Sequence, residues 1–203
     1  MNKEIKKSAA SSKEEDVALV KAFQTGDKTA FEQLVLKHKN RIFNLCYRFL
    51  GDYQEANDVA QETFLKIYRS LRKFRFEAIF STWLYRIAVN SCKNRLMTST
   101  YRYGKKTVSL DNPASSDAGH RSVEIGDESR SPMLELERKE RLTLIQKAIN
   151  LLPIEHKTVV VLRDIEGLSY EEITCATGLT LGTVKSRLAR ARLELRKKLE
   201  GVI

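Results

Sequence analysis

A basic segment at residues 181–199 carries the side chains of this chain that are best suited to chemistry. It contains seven Lys or Arg residues and one Glu. Lys185, Ser186, Ala189 and Arg190 follow one another at spacings that place them on one face of a helix, where they can enter a DNA major groove together. Lys and Arg bond guanine edges, Ser serves several bases, and Ala contacts a thymine methyl group. The pattern predicts a helix that recognises duplex DNA.

The segment before this helix predicts the other half of a helix-turn-helix. Ser169, with Glu172 three residues later, forms a capping box for a first helix. Gly178 suits the left-handed residue that ends it, and Thr180 can cap the next helix. An apolar stripe on that second helix faces the protein: Val184, Leu188, Ala191, Leu195 and Leu199. A solvated basic helix is the alternative, but it does not explain caps, turn and stripe together.

Composition predicts an all-α protein of two small helical bundles joined by a flexible linker, with the helix-turn-helix in the C-terminal bundle. Only three Pro and nine Gly occur in 203 residues, and apolar residues recur at three- and four-residue spacings. The predicted parts are a flexible tail at 1–13, a first bundle at 14–97, a linker at 98–133 and a second bundle at 134–203. Fully stretched, the linker would span roughly 120 Å.

Charge and cysteine usage restrict the function further. The formal net charge is +10, which favours a polyanionic partner. Cys46, Cys92 and Cys175 form no metal-binding or disulfide pattern, so we expect small buried apolar residues in a reducing cytoplasm. The N-terminus lacks the apolar region of a signal peptide, and no apolar run is long enough to span a membrane. We therefore expect a cytoplasmic protein.

An enzyme is disfavoured by the distribution of the histidines. His38, His120 and His156 fall in a helical stripe, in the linker and in a helix turn. None lies near a Ser, Cys or metal-ligand cluster, and there is no glycine-rich loop that would cradle a phosphate. We expect no catalytic residue and no metal site.

A second nucleic-acid surface is predicted near the end of the first bundle. Arg86, Asn90, Lys93 and Asn94 share one helical face, with Trp83 at its border. Such side chains offer stacking, phosphate contacts and base-edge hydrogen bonds to separated strands. The preceding loop, residues 72–80, mixes basic and aromatic side chains and can receive an extruded base. For Trp83 a core position is the alternative, and we expect it to serve partly as both.

Two long stretches resemble one known family. Residues 58–69 (DVAQETFLKIYR) and 81–90 (STWLYRIAVN) are similar to region 2 of bacterial extracytoplasmic-function (ECF) sigma factors, the sigma-E-like group IV of the sigma-70 family. Residues 152–192, with GLSYEEI and GTVKSR, are similar to region 4 of the same factors. The resemblance implies a subunit that binds core RNA polymerase, directs it to specific promoters and promotes strand opening, without cofactor or small-molecule substrate.

The resemblance also assigns residues to partners. For core-polymerase binding it implies Asp58, Gln61, Glu62 and Leu65, with Phe64 in the core. For the minus-ten element it implies Lys66, Arg75, Phe76, Trp83, Arg86, Asn90, Lys93 and Asn94. For the minus-thirty-five element it implies Lys185, Ser186, Ala189 and Arg190, with Arg187 and Arg192 on phosphates.

One departure and one further partner come with the resemblance. Family members often have Gly after the Phe-Arg of the minus-ten loop, whereas this chain has Phe76, which changes the backbone freedom of the loop. Family members are commonly held inactive by an anti-sigma factor, often membrane-tethered, until a stress signal releases them, so such a partner is expected. The alternative function is a conventional helix-turn-helix regulator that acts on duplex DNA without being a polymerase subunit.

Overall fold

A computed structural model describes residues 2–104 and 132–200, with side chains at 11–98, 136–138 and 140–200. In these residues the backbone forms α-helices and one π-helical turn, without strands, which confirms the all-α prediction. The helices are α1 Asn2–Gln24, α2 Thr29–Leu50, α3 Tyr53–Leu71, α4 Phe80–Gly104, α5 Pro132–Asn150, α6 Ile154–Val160, α7 Tyr170–Thr177 and α8 Leu181–Leu199, and the π-helical turn Val161–Ile165 continues α6.

Helices α1–α4 form the first bundle. Its centre is made by α2, which packs against α1, α3 and α4. Ile42, Leu45 and Phe49 of α2 are fully buried at helical spacing, as are Val59 of α3 and Ala88 of α4. The apolar periodicity of the sequence therefore becomes the bundle interior.

Helices α5–α8 form the second bundle. Its helix caps and the turn between α7 and α8 are those predicted from the sequence. The Ser169 hydroxyl accepts a hydrogen bond from the Glu172 backbone N–H, while the Glu172 carboxylate accepts one from the Ser169 N–H. Gly178 adopts φ 73° at the end of α7, and the Thr180 hydroxyl caps α8. The helix-turn-helix prediction is confirmed in each of these local details.

Some boundaries differ from the prediction. Helix α1 begins at Asn2 and so includes residues 2–13 of the predicted flexible tail, because the Lys, Glu and Ala residues there are good helix formers. Helix α4 continues to Gly104, seven residues into the predicted linker, since no Gly or Pro interrupts it earlier. Most of the predicted linker, residues 105–131, lies outside the described residues.

A buried polar cluster joins α1 to α2. Asp16 is only 3% exposed. Its carboxylate lies 3.1 Å from His38 Nε2 and 2.8 Å from Lys37 Nζ. Burial alone would raise the pKa of Asp16, but the hydrogen bonds from His38 and Lys37 outweigh it and hold that pKa below its ordinary value.

The two bundles pack against each other in one continuous core. Helix α4 lies along α7, and α2 contacts α5 and the π-helical turn. Ile149, Ile173 and Ala176 of the second bundle are buried in the same cluster as Val89 and Cys92 of the first. The second bundle therefore covers one side of α2 and α4.

Two of the three cysteine predictions agree with the structure. Cys46 and Cys92 are fully buried, whereas Cys175 of α7 is exposed, so the prediction of a buried Cys175 is wrong. The apolar periodicity could not predict the exposure of Cys175, because α7 has only eight residues and only two of them are buried. Within residues 2–104 and 132–200, no helix is both long and apolar enough to cross a membrane.

Gly51 is a glycine at which an added side chain would meet a neighbour as well as backbone strain. It ends α2 with φ 76°, and a Cβ there would lie 2.9 Å from Asn150 Cγ of the second bundle. Asn150 would have to move and lose the 2.9 Å hydrogen bond from Gln146. We expect Gly51→Ala to lower the free energy of unfolding by about 2–3 kcal/mol in urea denaturation.

Gly167→Ala is the matched control, because Gly167 has φ 73° and open space around it. It should cost about 1 kcal/mol from backbone strain alone. Equal losses for the two variants would contradict a role for the contact with Asn150.

Candidate DNA- and polymerase-binding surfaces

Helix α8 presents its predicted base-contacting residues together. Lys185, Ser186, Ala189 and Arg190 are all exposed, whereas Val184 and the rest of the apolar stripe face inward. The helix begins directly after the turn, so Lys185 and Ser186 lie in its first two turns. This is the part of a recognition helix that contacts base edges.

Helix α7 supports the α8 surface through a residue that the sequence analysis missed. The ammonium group of Lys185 lies 5.7 Å from the ring centroid of Tyr170. The guanidinium group of Arg163 lies 4.7 Å from the same ring. Tyr170 therefore orients a predicted DNA contact by cation–π attraction. Its place in the predicted capping region gave no sign of this role.

The two predicted phosphate contacts of α8 are in different surroundings. Arg192 forms two hydrogen bonds with the Asp164 carboxylate, one of them 3.0 Å from Nε to Oδ2. That ion pair raises the pKa of Arg192 above its ordinary value. Arg187 is half-buried and faces the first bundle. A phosphate would have to compete with Asp164 for Arg192, so we expect its contribution to be small.

The polar face of α4 is open except at one position. Arg86, Asn90 and Asn94 are exposed, but Lys93 is half-buried against the second bundle. Burial lowers the pKa of Lys93, nearby Glu155 opposes this, and the charge of Arg187 lowers the pKa further. The structure thus brings a predicted minus-ten residue and a predicted minus-thirty-five residue close together.

Lys66 of α3 lies at the edge of the α4 face. Its ammonium group donates to Ser91 Oγ at 3.0 Å and lies 2.8 Å from Glu62 Oε1. Arg95 is also 3.9 Å from the Glu62 carboxylate. Lys66 therefore lies beside the polar face of α4, and Glu62 partly neutralises its charge.

The loop before α4 has an unusual backbone at Phe76. Phe76 adopts φ 58°, a left-handed conformation that non-glycine residues rarely take and that costs about 1–3 kcal/mol. Its ring centroid lies 5.0 Å from that of Phe74, and 37% of the residue is exposed. The loop thus keeps a conformation suited to Gly while presenting an aromatic ring. Arg75 beside it is exposed.

Trp83 lies partly in the core and partly in solvent. It is half-buried, with its ring centroid 4.9 Å from Phe74 and 6.0 Å from Phe80. It therefore joins the aromatic cluster under the loop while keeping part of its surface in solvent. Next to this loop, a groove of about 450 Å³ runs between Phe76 and Cys175 of α7.

The predicted polymerase-binding residues share one exposed face of α3. Asp58, Gln61 and Glu62 are exposed, and Leu65 is 58% exposed. Their spacing of three, four and seven residues places them along one side of the helix. Phe64 is half-buried against the core, as predicted. An exposed leucine between carboxylates and an amide has the composition of a protein-binding surface.

Comparisons with known proteins agree with both bundles. Residues 34–100 match the Sigma-70 region 2 family, and residues 142–195 match the family Sigma-70, region 4. The RNA polymerase sigma-H factor of Pseudomonas aeruginosa is 40% identical over 190 residues, which cover 94% of this chain and 96% of that protein. The ECF RNA polymerase sigma-E factor of Haemophilus influenzae is 39% identical over 187 residues, covering 91% and 95%.

Two solved structures have a similar fold. The structure of CnrH in complex with the cytosolic domain of CnrY is similar with a TM-score of 0.64 and 25% identity, covering 92% of this chain and 98% of that chain. The sigma factor RpoE in complex with the anti-sigma factor NepR from Bartonella quintana shares the fold, with a TM-score of 0.63 and 22% identity over 84% of this chain and 96% of that one.

The chain belongs to the sigma-70 family of RNA polymerase sigma factors, in its ECF class. It is a transcription initiation factor that directs RNA polymerase to promoters, and the conventional helix-turn-helix regulator is not favoured.

Proposed function

We propose that this sigma factor binds core polymerase through the α3 face and contacts the promoter through two separate surfaces. The observation that carries the proposal is the α3 face itself, where Asp58, Gln61, Glu62 and Leu65 all point to solvent. A DNA-binding regulator that acts alone has no use for an exposed leucine beside acidic residues, because these charges repel phosphates. A protein partner is the better explanation for this face.

The minus-thirty-five element is assigned to α8, and its specificity rests mainly on Lys185 and Arg190. Both side chains are exposed and long enough to reach guanine edges in a major groove. Ser186 and Ala189 add a hydroxyl and a methyl contact. Arg187 and Arg192 belong to the backbone contacts that position the helix.

The minus-ten element is assigned to α4 and the loop before it. Arg86, Asn90 and Asn94 offer charge and base-edge hydrogen bonds, and Phe76 offers a ring on which an unpaired base can stack. Lys66, Arg75, Trp83 and Lys93 complete this surface. The factor thus binds separated strands and promotes opening by favouring them over duplex, without covalent chemistry of its own.

An anti-sigma factor, membrane-tethered or free in the cytoplasm, is the second protein partner that we propose. Support comes from the similar fold of RpoE in complex with the anti-sigma factor NepR. Such an inhibitor would cover the α3 face or the second bundle, so it and core polymerase should exclude each other. Gel filtration of the three components should show two alternative complexes, and a stable ternary complex would contradict this assignment.

Core-dependent DNA binding tests the proposed function. Duplexes selected with the reconstituted holoenzyme should shift poorly with the free chain and strongly once core polymerase is added. The matched control is a scrambled duplex of equal length, which should shift weakly in both cases. Tight binding by the free chain, without any gain from core polymerase, would identify a conventional regulator instead.

A further inference from the structure

One side of α1 lies against the loop before α4. Its residues Lys13, Val17, Lys21 and Gln24 follow one another at spacings of four and three, so they share this side of the helix. Lys13 and Val17 line the groove next to Phe76 of the loop, and the other two residues contact the loop directly. We predicted no function for this side of α1 from the sequence.

Gln24 attaches the start of the loop to α1. Its side-chain amide donates to the carbonyl of Leu71, the last residue of α3, at 3.1 Å and to the Phe74 carbonyl at 2.9 Å. One amide group thus uses both of its hydrogens on the backbone that enters the loop. The side chain of Phe74 is itself 91% buried, with 9% of the residue exposed. Both the backbone and the ring of Phe74 are therefore held in place.

Phe76 follows this attachment by two residues and has a strained backbone. In the part of the chain that the structure describes, it is the only non-glycine residue with a positive φ. The Cβ of such a residue lies too close to the next carbonyl oxygen, so the surrounding contacts must hold the conformation. The Phe74 ring centroid lies 5.0 Å from that of Phe76, and the Lys21 ammonium group lies 5.9 Å from the Phe76 ring centroid.

We propose that Gln24 is a positioning residue for minus-ten recognition, because its two hydrogen bonds hold the loop with Phe76 presented to an unpaired base. Lys21 assists through a cation–π attraction that limits the motion of the Phe76 ring. Without Gln24 the loop can relax to an ordinary backbone conformation, and ordering it again weakens the binding of a strand. The inference rests on the proposed function, since it deepens the assignment of the minus-ten element to this loop.

Gln24→Met tests this role, because it removes both hydrogen bonds and keeps the length and helix propensity of the side chain. The probe is a single strand that contains a minus-ten element selected with the reconstituted holoenzyme, in which each base in turn is replaced by an abasic site. For wild-type holoenzyme one abasic position should weaken binding by about tenfold, the effect of losing one base stacked on an aromatic ring.

In the Gln24→Met holoenzyme the loss at that one position should fall to about threefold. Binding of the intact strand should weaken by about threefold as well, because the captured base gains less from the loop. The losses at the other positions should stay as in wild type. Gln33→Met is the matched control: it makes the same substitution at an exposed position of α2 and should keep the wild-type profile.

A second background tests whether Gln24 acts through the strained residue. Glycine adopts a left-handed conformation without strain, so the Phe76→Gly loop depends less on its attachment to α1. Adding Gln24→Met to Phe76→Gly should therefore weaken binding of the intact strand by less than it does in wild type. An equal loss in both backgrounds, or a Gln24→Met loss spread evenly over all positions, would overturn the positioning role.

The same samples separate this inference from the proposed function. If wild-type holoenzyme binds the selected strand no better than a scrambled strand of equal length, the assignment of the minus-ten element to this surface fails. If wild type shows that preference and Gln24→Met keeps the whole wild-type profile, the proposed function stands and the role of Gln24 is wrong.

Discussion

Replacing Asp16 with Asn should lower the free energy of unfolding by about 3–5 kcal/mol, because it removes the carboxylate that holds a buried cluster together. His38 Nε2 and Lys37 Nζ both lie within 3.1 Å of Asp16 in the contact between α1 and α2. Without the carboxylate, the ring of His38, which is only 5% exposed, loses its hydrogen-bond partner on α1. Urea denaturation followed by the fluorescence of Trp83, the only tryptophan, measures the loss.

Glu15→Gln is the matched control for Asp16→Asn. Glu15 lies 2.9 Å from the same Lys37 ammonium group, but its side chain is 63% exposed. An exposed ion pair contributes about 0–1 kcal/mol. A loss for Asp16→Asn no larger than that for Glu15→Gln would show that the buried cluster is not stabilising.

The same cluster predicts the acid limb of the stability curve. The pKa of Asp16 is lowered in the folded chain, so its stabilising contribution is fully present above the unfolded pKa of about 3.9. That contribution is lost as the pH falls through the lower, folded-state pKa. The difference in unfolding free energy between wild type and Asp16→Asn should therefore shrink below about pH 4. Unfolding free energies of both proteins, measured from pH 7 downward, test this. Curves that stay parallel to the lowest pH would contradict this.

Replacing Lys185 and Arg190 together with Ala should weaken promoter binding by the holoenzyme by about 2–6 kcal/mol. Arg190→Ala alone should cost about 1–3 kcal/mol and relax the preference at one base position. Both side chains are exposed on the α8 face and lose base-edge hydrogen bonds when truncated. Dissociation constants on a promoter and on its minus-thirty-five variants, at one salt concentration, measure both effects.

Arg192→Ala serves as the comparison for these variants. Because Arg192 is paired with Asp164 in the free chain, its loss should be smaller and equal on every sequence. An equal loss on all sequences for Arg190→Ala would instead assign Arg190 to a phosphate.

The local structure of the second bundle could be predicted from the sequence because its signals are short-range. Thr180 caps α8 and the apolar stripe ends at Leu199, and both bounds of the helix agree with the structure. The capping box of Ser169 and Glu172 likewise needs only residues three positions apart. The charged residues at the start of the chain carry a weak signal: residues 2–13 were predicted to be a flexible tail, but they form the start of helix α1.

Features that depend on distant residues were not predictable in this way. Nothing near Glu166 indicates that Arg41 and Tyr85 lie against it, 125 and 81 residues earlier in the chain. The half-burial of Lys93 and the pairing of Arg192 with Asp164 follow from helix packing rather than from spacing. The sequence thus places the site residues on their helices, but the residues that they contact are known only from the structure.

Co-elution with core RNA polymerase freed of sigma factors tests the central claim most directly. Wild type should co-elute with core polymerase, and Gln61→Ala/Glu62→Ala should do so much more weakly, because it truncates the exposed α3 face. Glu32→Ala/Gln33→Ala is the matched control, since it removes the same residue types from exposed positions of α2, and it should bind as wild type does. If wild type fails to co-elute and binds duplex DNA tightly alone, the assignment of α3 to the polymerase is wrong.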